Sequence, residues 1–279
     1  MKCEIQSKNL FVNDKQVFFD GIDFINELGD GTSANARAFL VKNIQLQRYE
    51  VIKLSKPRQA KDKPDYTRFI SEVRKNALFH HKQIAVIYDA VVKNELFFCK
   101  MQYFEGCSLK EFLETDAQFI IRYSILESLL GVLDEVYTME QYHGDIHGNN
   151  IIINDNIPYL IDFGTSLFSG KIASHRRDAK MLFAISFEVL PELIKMSFIT
   201  KDIIDYGSHA VCEIIRRTAY MLFQFENRNL WNNKVDLYTQ KEQIIIPISI
   251  LHEDFPFISK CLITRFLANL PLDDDLKSI

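Results

Sequence analysis

Three polar residues that can bind a metal ion or a hydroxyl group lie close together between positions 145 and 162. Asp145 and Asn150 share the segment His143-Gly144-Asp145-Ile146-His147-Gly148-Asn149-Asn150. Asp162 follows two apolar runs, 151–153 and 159–161, whose spacing predicts a tight hairpin. Carboxylate and amide oxygens that meet at a cleft suit a divalent cation and an attacking hydroxyl group. The segment therefore predicts a catalytic site built from two neighbouring loops.

This segment resembles the catalytic loop of protein kinases, His-Arg-Asp-Leu-x-x-x-x-Asn, and Asp162-Phe163-Gly164 resembles their metal-binding Asp-Phe-Gly triplet. The resemblance covers about residues 22 to 190. It implies ATP as the phosphate donor and Asp145 as the catalytic base for an acceptor hydroxyl. It also implies that Asn150 and Asp162 bind Mg²⁺ or Mn²⁺.

The N-terminal half contains segments that resemble the ATP-binding parts of the same family. Residues 28–34 resemble a glycine-rich lid, in which Gly29, Gly31 and Ser33 would contact ATP. Val51-Ile52-Lys53-Leu54 resembles the strand whose lysine binds phosphates, and Glu72 would be the ion-pair partner of Lys53. Taken alone, a Gly-x-Gly sequence is more often a turn, and the less favoured alternative for Glu72 is a solvated helix carboxylate.

Residues 98–109 resemble the hinge between the two lobes of a kinase. The resemblance implies that Met101 is the gatekeeper of the ATP site. Backbone groups of Gln102, Tyr103 and Phe104 would then meet the adenine ring.

The sequence departs from the usual protein kinase pattern at three points. Gly144 replaces the arginine that receives an activation-loop phosphate, which argues against regulation by such a phosphate. His147 stands where a phosphate-contacting lysine is usual, and His-Gly-Asp-x-His-x-x-Asn is similar to the loop of aminoglycoside and choline kinases. The segment after Asp162 is short and no Ala-Pro-Glu sequence follows it. We expect His147 to be catalytic and to face phosphate.

These departures leave three functions open. A serine/threonine protein kinase is favoured by the N-terminal half and the hinge. A small-molecule kinase for an aminoglycoside, choline or sugar is the alternative favoured by the catalytic loop and the short segment. A nucleotide-binding pseudokinase is disfavoured because Lys53, Glu72, Asp145, Asn150 and Asp162 are all present.

The elements around these motifs predict an α+β, bilobal fold like that of protein kinases. Strand-like runs rich in Val, Ile, Phe and Tyr occupy 21–28, 36–41, 49–54, 84–92 and 96–103, with one helical pattern at 65–79. Helical patterns dominate afterwards, at 118–139, 176–190 and in several segments of 201–270. We expect a small antiparallel-sheet lobe at 1–104, with one helix, and a larger, mainly helical lobe at 105–279.

Composition limits the partners and the compartment. The 279 residues include 33 basic and 37 acidic side chains, a net charge of −4 that does not favour a nucleic-acid partner. Five scattered cysteines predict reduced thiols, and no apolar run is long enough to span a membrane. We expect a cytoplasmic protein, with leaderless secretion into another cell and the oligomeric state left open.

Overall fold

The computed structural model describes most of the N-terminal two thirds of the chain and short parts of the rest. The described residues are 2–29, 36–55, 58–60, 63–93, 95–163, 171–195, 207–227, 239–240 and 243–244. Within these ranges, no helix is long and apolar enough to cross a membrane.

A three-stranded antiparallel sheet precedes the segments singled out in the sequence. Its strands are β1 (Cys3–Gln6), β2 (Asn9–Val12) and β3 (Lys15–Val17). Two-residue turns join them, and both residues of each turn, Ser7-Lys8 and Asn13-Asp14, have positive φ. Such turns match the right-handed twist of a hairpin. The strand pattern of the first twenty residues was not predicted.

A five-stranded antiparallel sheet follows. Its strands, in spatial order, are β4 (Ile22–Leu28), β5 (Ala36–Asn43), β6 (Arg48–Ser55), β10 (Leu96–Gln102) and β9 (Ile87–Lys93). The predicted strands are confirmed, except that the strand expected from residue 84 begins at Ile87. Between β6 and β9 in the chain lie the separate two-stranded pair β7 (Arg58–Ala60) and β8 (Lys63–Asp65) and the helix α1 (Thr67–Asn76).

The two N-terminal sheets share one hydrophobic core. Leu10, Val12 and Val17 from the first sheet are buried in one cluster with Phe39 and Phe98 from the second. The opposite side of β10 contributes Phe97 and Cys99 to a second cluster, which includes Phe69 of α1. Alternate residues of β10 therefore point to opposite faces, as the period of a strand requires.

The second half of the described chain is mainly helical, and its core is a single large cluster that includes residues of α3, α4 and α5. The elements are β11 (Cys107–Ser108), α2 (Leu109–Leu113), α3 (Phe119–Thr138), a 3₁₀ turn (Gly148–Asn150), β12 (Ile151–Asn154), β13 (Ile157–Leu160), α4 (Lys171–Val189), a 3₁₀ turn (Pro191–Lys195), α5 (Ser208–Asn227), β14 (Thr239–Gln240) and β15 (Gln243–Ile244).

Three helical predictions are confirmed by α1, α3 and α4, with one boundary corrected. Helix α4 begins at Lys171, before the expected residue 176, so the segment that follows Asp162 is shorter than the sequence suggested. The described part of 201–270 contains one of the expected helices, α5, and also the antiparallel pair β14–β15. The other helical segments expected in this region lie outside the described residues. The hairpin expected before Asp162 is β12–β13, and Asp155 and Asn156 form its turn with positive φ.

Gly106 lets the chain pass close to β12 as it leaves β10. Its φ is +134°, and a Cβ atom there would lie 2.2 Å from the carbonyl oxygen of Ile153. No L-residue can adopt this position without moving a backbone, because the contact is with a carbonyl group and not with a flexible side chain.

We expect Gly106→Ala to lower the free energy of unfolding by about 3 kcal/mol, since it adds backbone strain to a steric clash. The measurement is urea unfolding followed by circular dichroism. Gly131→Ala is the matched control, because a Cβ at this position of α3 meets no atom within 4 Å. It should raise the stability by about 0.5–1 kcal/mol. Equal effects of the two substitutions would contradict this account of Gly106.

Candidate active site

A buried carboxylate holds the loop that carries Asp145. Asp178 of α4 is fully buried, and its two oxygens accept hydrogen bonds from the backbone N–H groups of His143 (2.6 Å) and Gly144 (2.7 Å). Burial raises the pKa of Asp178 to about 6, although both hydrogen bonds act in the opposite direction. The loop is thereby fixed to a helix of the core.

His143 connects this loop to the end of β13. Nδ1 of the buried ring accepts a hydrogen bond from the backbone N–H of Asp145 (3.3 Å). Nε2 therefore carries the ring proton and donates a hydrogen bond to the carbonyl of Ile161 (3.0 Å). The ring also packs against Phe163, with 4.5 Å between ring centroids. Burial lowers the pKa of His143 to about 4, so the ring is neutral at pH 7. His143 is therefore a structural link between the two loops.

Asp145 is held by Asn150, a contact that was not predicted from the sequence. The Asn150 amide nitrogen donates to the Asp145 carbonyl (2.9 Å) and to its carboxylate Oδ2 (3.2 Å). His147 Nε2 lies 3.5 Å from the same Oδ2. The interaction with His147 lowers the pKa of Asp145, while Asp145 raises that of His147. Asp145 is therefore ionised at neutral pH and can accept a hydrogen bond from a hydroxyl group.

Lys53 and Asp162 join the five-stranded sheet to the second loop. Lys53 Nζ on β6 lies 3.0 Å from Asp162 Oδ1. Burial lowers the pKa of Lys53, but the charges of Asp162 and Glu72 outweigh this effect and raise it overall. Asp162 has a φ of +55°, a left-handed backbone conformation that is uncommon outside glycine. Non-glycine residues in this conformation cluster at active sites.

A cavity beside this ion pair brings together residues from the sheet, α1 and the second loop. Glu72 of α1 lines it together with Lys53 and Asp162. The effect of Glu72 on the Lys53 pKa agrees with its predicted role as an electrostatic partner. Met101 is buried and also lines the cavity, which suits a gatekeeper position.

The segment after Met101 is partly committed to the fold. The Gln102 backbone N–H donates to the Val86 carbonyl (2.8 Å), so it is not free to contact adenine. Phe104 stacks on Tyr159 with 4.3 Å between ring centroids. The ring centroids of Tyr103 and Tyr49 are 6.4 Å apart. Contacts between this segment and adenine stay a prediction. Of the two backbone groups of Gln102, only the carbonyl could take part in them.

The predicted lid falls mostly outside the described residues. Gly29 lies at the end of β4, is exposed and has a φ of +81°. Gly31, Ser33 and Gly164 lie outside the described part of the chain. Their predicted roles therefore stay predictions.

Comparison with known proteins decides the family. The family described as "Protein kinase domain" matches residues 22–264. The chain belongs to this family. Its members share ATP as phosphate donor and use a divalent metal. The three-stranded sheet β1–β3 lies before the matched region.

The segments that match curated kinases cover about half of this chain. "Probable serine/threonine-protein kinase YbdM" of Bacillus subtilis is 29% identical over 137 residues, which cover 48% of this chain and 54% of the relative. Serine/threonine-protein kinase PrkC of the same organism is 28% identical over 141 residues, 49% of this chain and 21% of the relative. The matches thus span about half, or less, of these relatives.

Solved structures confirm the kinase fold. The PknI kinase domain of Mycobacterium tuberculosis superposes with a TM-score of 0.55 at 16% identity, covering 72% of this chain and 97% of that one. At this identity the likeness shows the fold alone. It confirms the bilobal α+β arrangement expected from the sequence.

Two basic residues at this kinase site were not singled out from the sequence. Lys75 of α1 is buried, and its ammonium lies 3.9 Å from the centroid of the Tyr142 ring, directly before the catalytic loop. Burial lowers its pKa to about 8. Arg177 of α4 lies 4.0 Å from Asp145 Oδ1. No motif spacing marks either residue, because both contacts arise from the packing of a distant helix against the loop.

Asp178 and His143 should shape the acid stability of the protein in opposite directions. The lowered pKa of His143 means that the unfolded chain binds more protons than the folded chain between pH 6.5 and 4. The free energy of unfolding therefore decreases as the pH is lowered through this range. The raised pKa of Asp178 means that the folded chain binds more protons between pH 6 and 3.8, which offsets that fall.

Asp178→Asn removes this offset. We expect the unfolding free energy of the variant to fall more steeply than that of the wild type between pH 6 and 4, by up to about 1.4 kcal/mol per pH unit. Urea unfolding at several pH values measures the slope. Asn substitution at the exposed Asp116 is the control and should leave the slope unchanged. Parallel curves for Asp178→Asn and the wild type would contradict the assigned protonation of Asp178.

Proposed function

We propose that this chain is a serine/threonine protein kinase that transfers the γ-phosphoryl group of ATP to a protein hydroxyl group. The observation that carries the proposal is the 3.0 Å contact between Lys53 and Asp162, which joins the ATP-binding strand to the metal loop. The names of the curated relatives support a protein as the acceptor. A cytoplasmic location is part of the same proposal.

Each residue of the site has a chemical role in this proposal. Asp145 orients the acceptor hydroxyl and accepts its proton, and Asn150 holds the Asp145 carboxylate in place through its amide nitrogen. Lys53 binds the α- and β-phosphates, with Glu72 as its electrostatic partner. The reaction needs little covalent chemistry from the protein, so positioning and charge neutralisation account for most of the rate.

The residues present fit a Mg²⁺ ion that is shared with the nucleotide. The two Asn150 hydrogen bonds to Asp145 use Nδ2 and not Oδ1, which is the atom that can ligate a cation. Asp162 supplies one carboxylate. Phosphate oxygens of the nucleotide would complete the coordination of the ion. Bound Mg²⁺ would neutralise charge on the β- and γ-phosphates, and Mn²⁺ could replace it.

The two lobes, 1–104 and 105–279, would enclose ATP between them. In this proposal Gly29, Gly31 and Ser33 belong to the lid over the phosphates, and Met101 to Phe104 border the adenine. His147 would face the transferred phosphate. Gly144 offers no charge to an activation-loop phosphate, and its N–H is already bonded to Asp178. We therefore propose that the enzyme does not use a phosphate–arginine switch at this position.

A small-molecule acceptor is the second candidate. The observation that favours it is the short connection between Phe163 and the start of α4 at Lys171. A segment of this length gives little platform for an extended peptide. The acceptor then has to be a compact molecule or a hydroxyl group on a folded protein surface.

Asp145→Asn should reduce kcat by at least about 10²-fold, because it removes the carboxylate that accepts the hydroxyl proton. The assay follows transfer of labelled phosphate from ATP to a mixture of purified proteins. Asp155→Asn is the matched control, since Asp155 lies in the β12–β13 turn, is exposed, and Asn tolerates its positive φ equally well. Wild-type turnover by Asp145→Asn would overturn the assignment of the base.

Asp162→Asn and Lys53→Met should separate metal binding from phosphate binding. We expect Asp162→Asn to weaken the apparent affinity for Mg²⁺ by at least about tenfold at fixed ATP, because the site loses its carboxylate. Lys53→Met should instead weaken ATP binding with and without Mg²⁺. Calorimetric titration of ATP over a range of Mg²⁺ concentrations measures both effects. Identical Mg²⁺ dependence in the wild type and Asp162→Asn would exclude Asp162 as a ligand.

A further inference from the structure

The two carboxylate oxygens of Asp145 each face a different basic side chain. His147 Nε2 lies 3.5 Å from Oδ2, and Arg177 Nη2 lies 4.0 Å from Oδ1. His147 comes from the catalytic loop itself, two residues after Asp145. Arg177 comes from α4 and is brought to the loop only by the fold.

The position of Arg177 relative to Asp145 is fixed by its neighbour in the chain. Asp178 accepts the backbone N–H groups of His143 and Gly144, so α4 and the catalytic loop are tied together one residue away from Arg177. The backbone of Arg177 is therefore held next to the loop that carries Asp145.

The side chains of Arg177 and Asp145 lie at the surface of the protein and not in its core. The side chains of Arg177, His147 and Asp145 remain 50%, 46% and 43% exposed. Half-exposed ion pairs contribute little to stability. The contact between Arg177 and Asp145 is thus a weak restraint that a substrate can displace.

The chemistry of the site calls for a permanent positive charge at this point. An acceptor hydroxyl that is hydrogen-bonded to Asp145 attacks a phosphoryl group whose oxygens carry spread negative charge. Imidazole at position 147 is a cation only when it is protonated, whereas a guanidinium group is always charged and can bind two phosphate oxygens at once. Arg177 is within reach of a group that contacts Asp145, because its Nη2 is 4.0 Å from Oδ1.

We propose that Arg177 is a catalytic residue that binds the phosphoryl group during its transfer to the acceptor hydroxyl. The proposal rests on the proposed kinase activity. In the step itself, the bond between the γ-phosphorus and the ATP bridging oxygen breaks, a bond to the acceptor oxygen forms, and the hydroxyl proton passes to Asp145. Arg177 donates hydrogen bonds to the phosphoryl oxygens and exchanges no proton.

Kinetic analysis of Arg177→Gln with saturating and limiting substrates tests this role. We expect kcat to fall by about 10³-fold or more, within the range known for arginines that stabilise phosphoryl transfer, while KM for ATP and for the acceptor changes by less than about threefold. Arg176→Gln removes the same charge from the adjacent exposed position of α4 and is the matched control, expected to retain wild-type kcat.

Chemical rescue distinguishes catalysis from a structural effect. Free guanidinium should restore part of the lost kcat in Arg177→Ala, but not in Asp145→Asn. Arg177→Lys keeps the charge but cannot bind two phosphate oxygens at once, and we expect its kcat to fall by at least about tenfold. This variant provides the test if Arg177→Ala does not fold.

The outcomes are separable from those of the proposed function. A wild-type chain without any phosphate transfer would refute the kinase proposal itself. An active wild type with unchanged kcat in Arg177→Gln and Arg177→Lys would overturn only the role of Arg177. A raised acceptor KM with unchanged kcat would also overturn it, because the arginine would then bind the acceptor and not the transferred group.

Discussion

The buried carboxylate of Asp178 is the interaction on which the rest of the site depends. A carboxylate without water around it is costly, and this one is stabilised by two backbone N–H groups from the catalytic loop. The loop in turn has its polar backbone satisfied by a helix of the core. Because the anchor uses backbone atoms, it fixes the path of the loop whatever side chains the loop carries. His143 can then be neutral and structural, while the Asp145 side chain stays partly exposed.

From this anchor the site is assembled by a few polar contacts between elements that are distant in the sequence. Asn150 holds Asp145 within the loop, and His143 ties the loop to the carbonyl of Ile161, next to Asp162. Asp162 reaches Lys53 on the N-terminal sheet. A continuous chain of contacts therefore runs from α4 to the strand that would bind the phosphates. This continuity makes phosphoryl transfer the chemistry that the geometry supports.

The sequence was sufficient for features that depend on local pattern and insufficient for those that depend on packing. The β12–β13 hairpin, the strand that carries Lys53 and helix α3 follow from hydrophobic periodicity and turn residues. The sheet β1–β3 was missed because its strands are only three or four residues long, although Asn13-Asp14 is a recognisable turn. Arg177 was missed for a different reason. Its contact with Asp145 is created by the docking of α4 on the loop, and no spacing in the sequence encodes that approach.

The most direct test of this account is to find where the γ-phosphate goes. The chain is incubated with γ-labelled ATP and Mg²⁺, once with a protein fraction and once with a metabolite fraction of a cell lysate. The account predicts label on serine or threonine side chains of proteins, identified by mass spectrometry, and its loss with Asp145→Asn. Label that appears only on small molecules would contradict a protein acceptor, and ATP binding without transfer to either fraction would contradict the kinase mechanism itself.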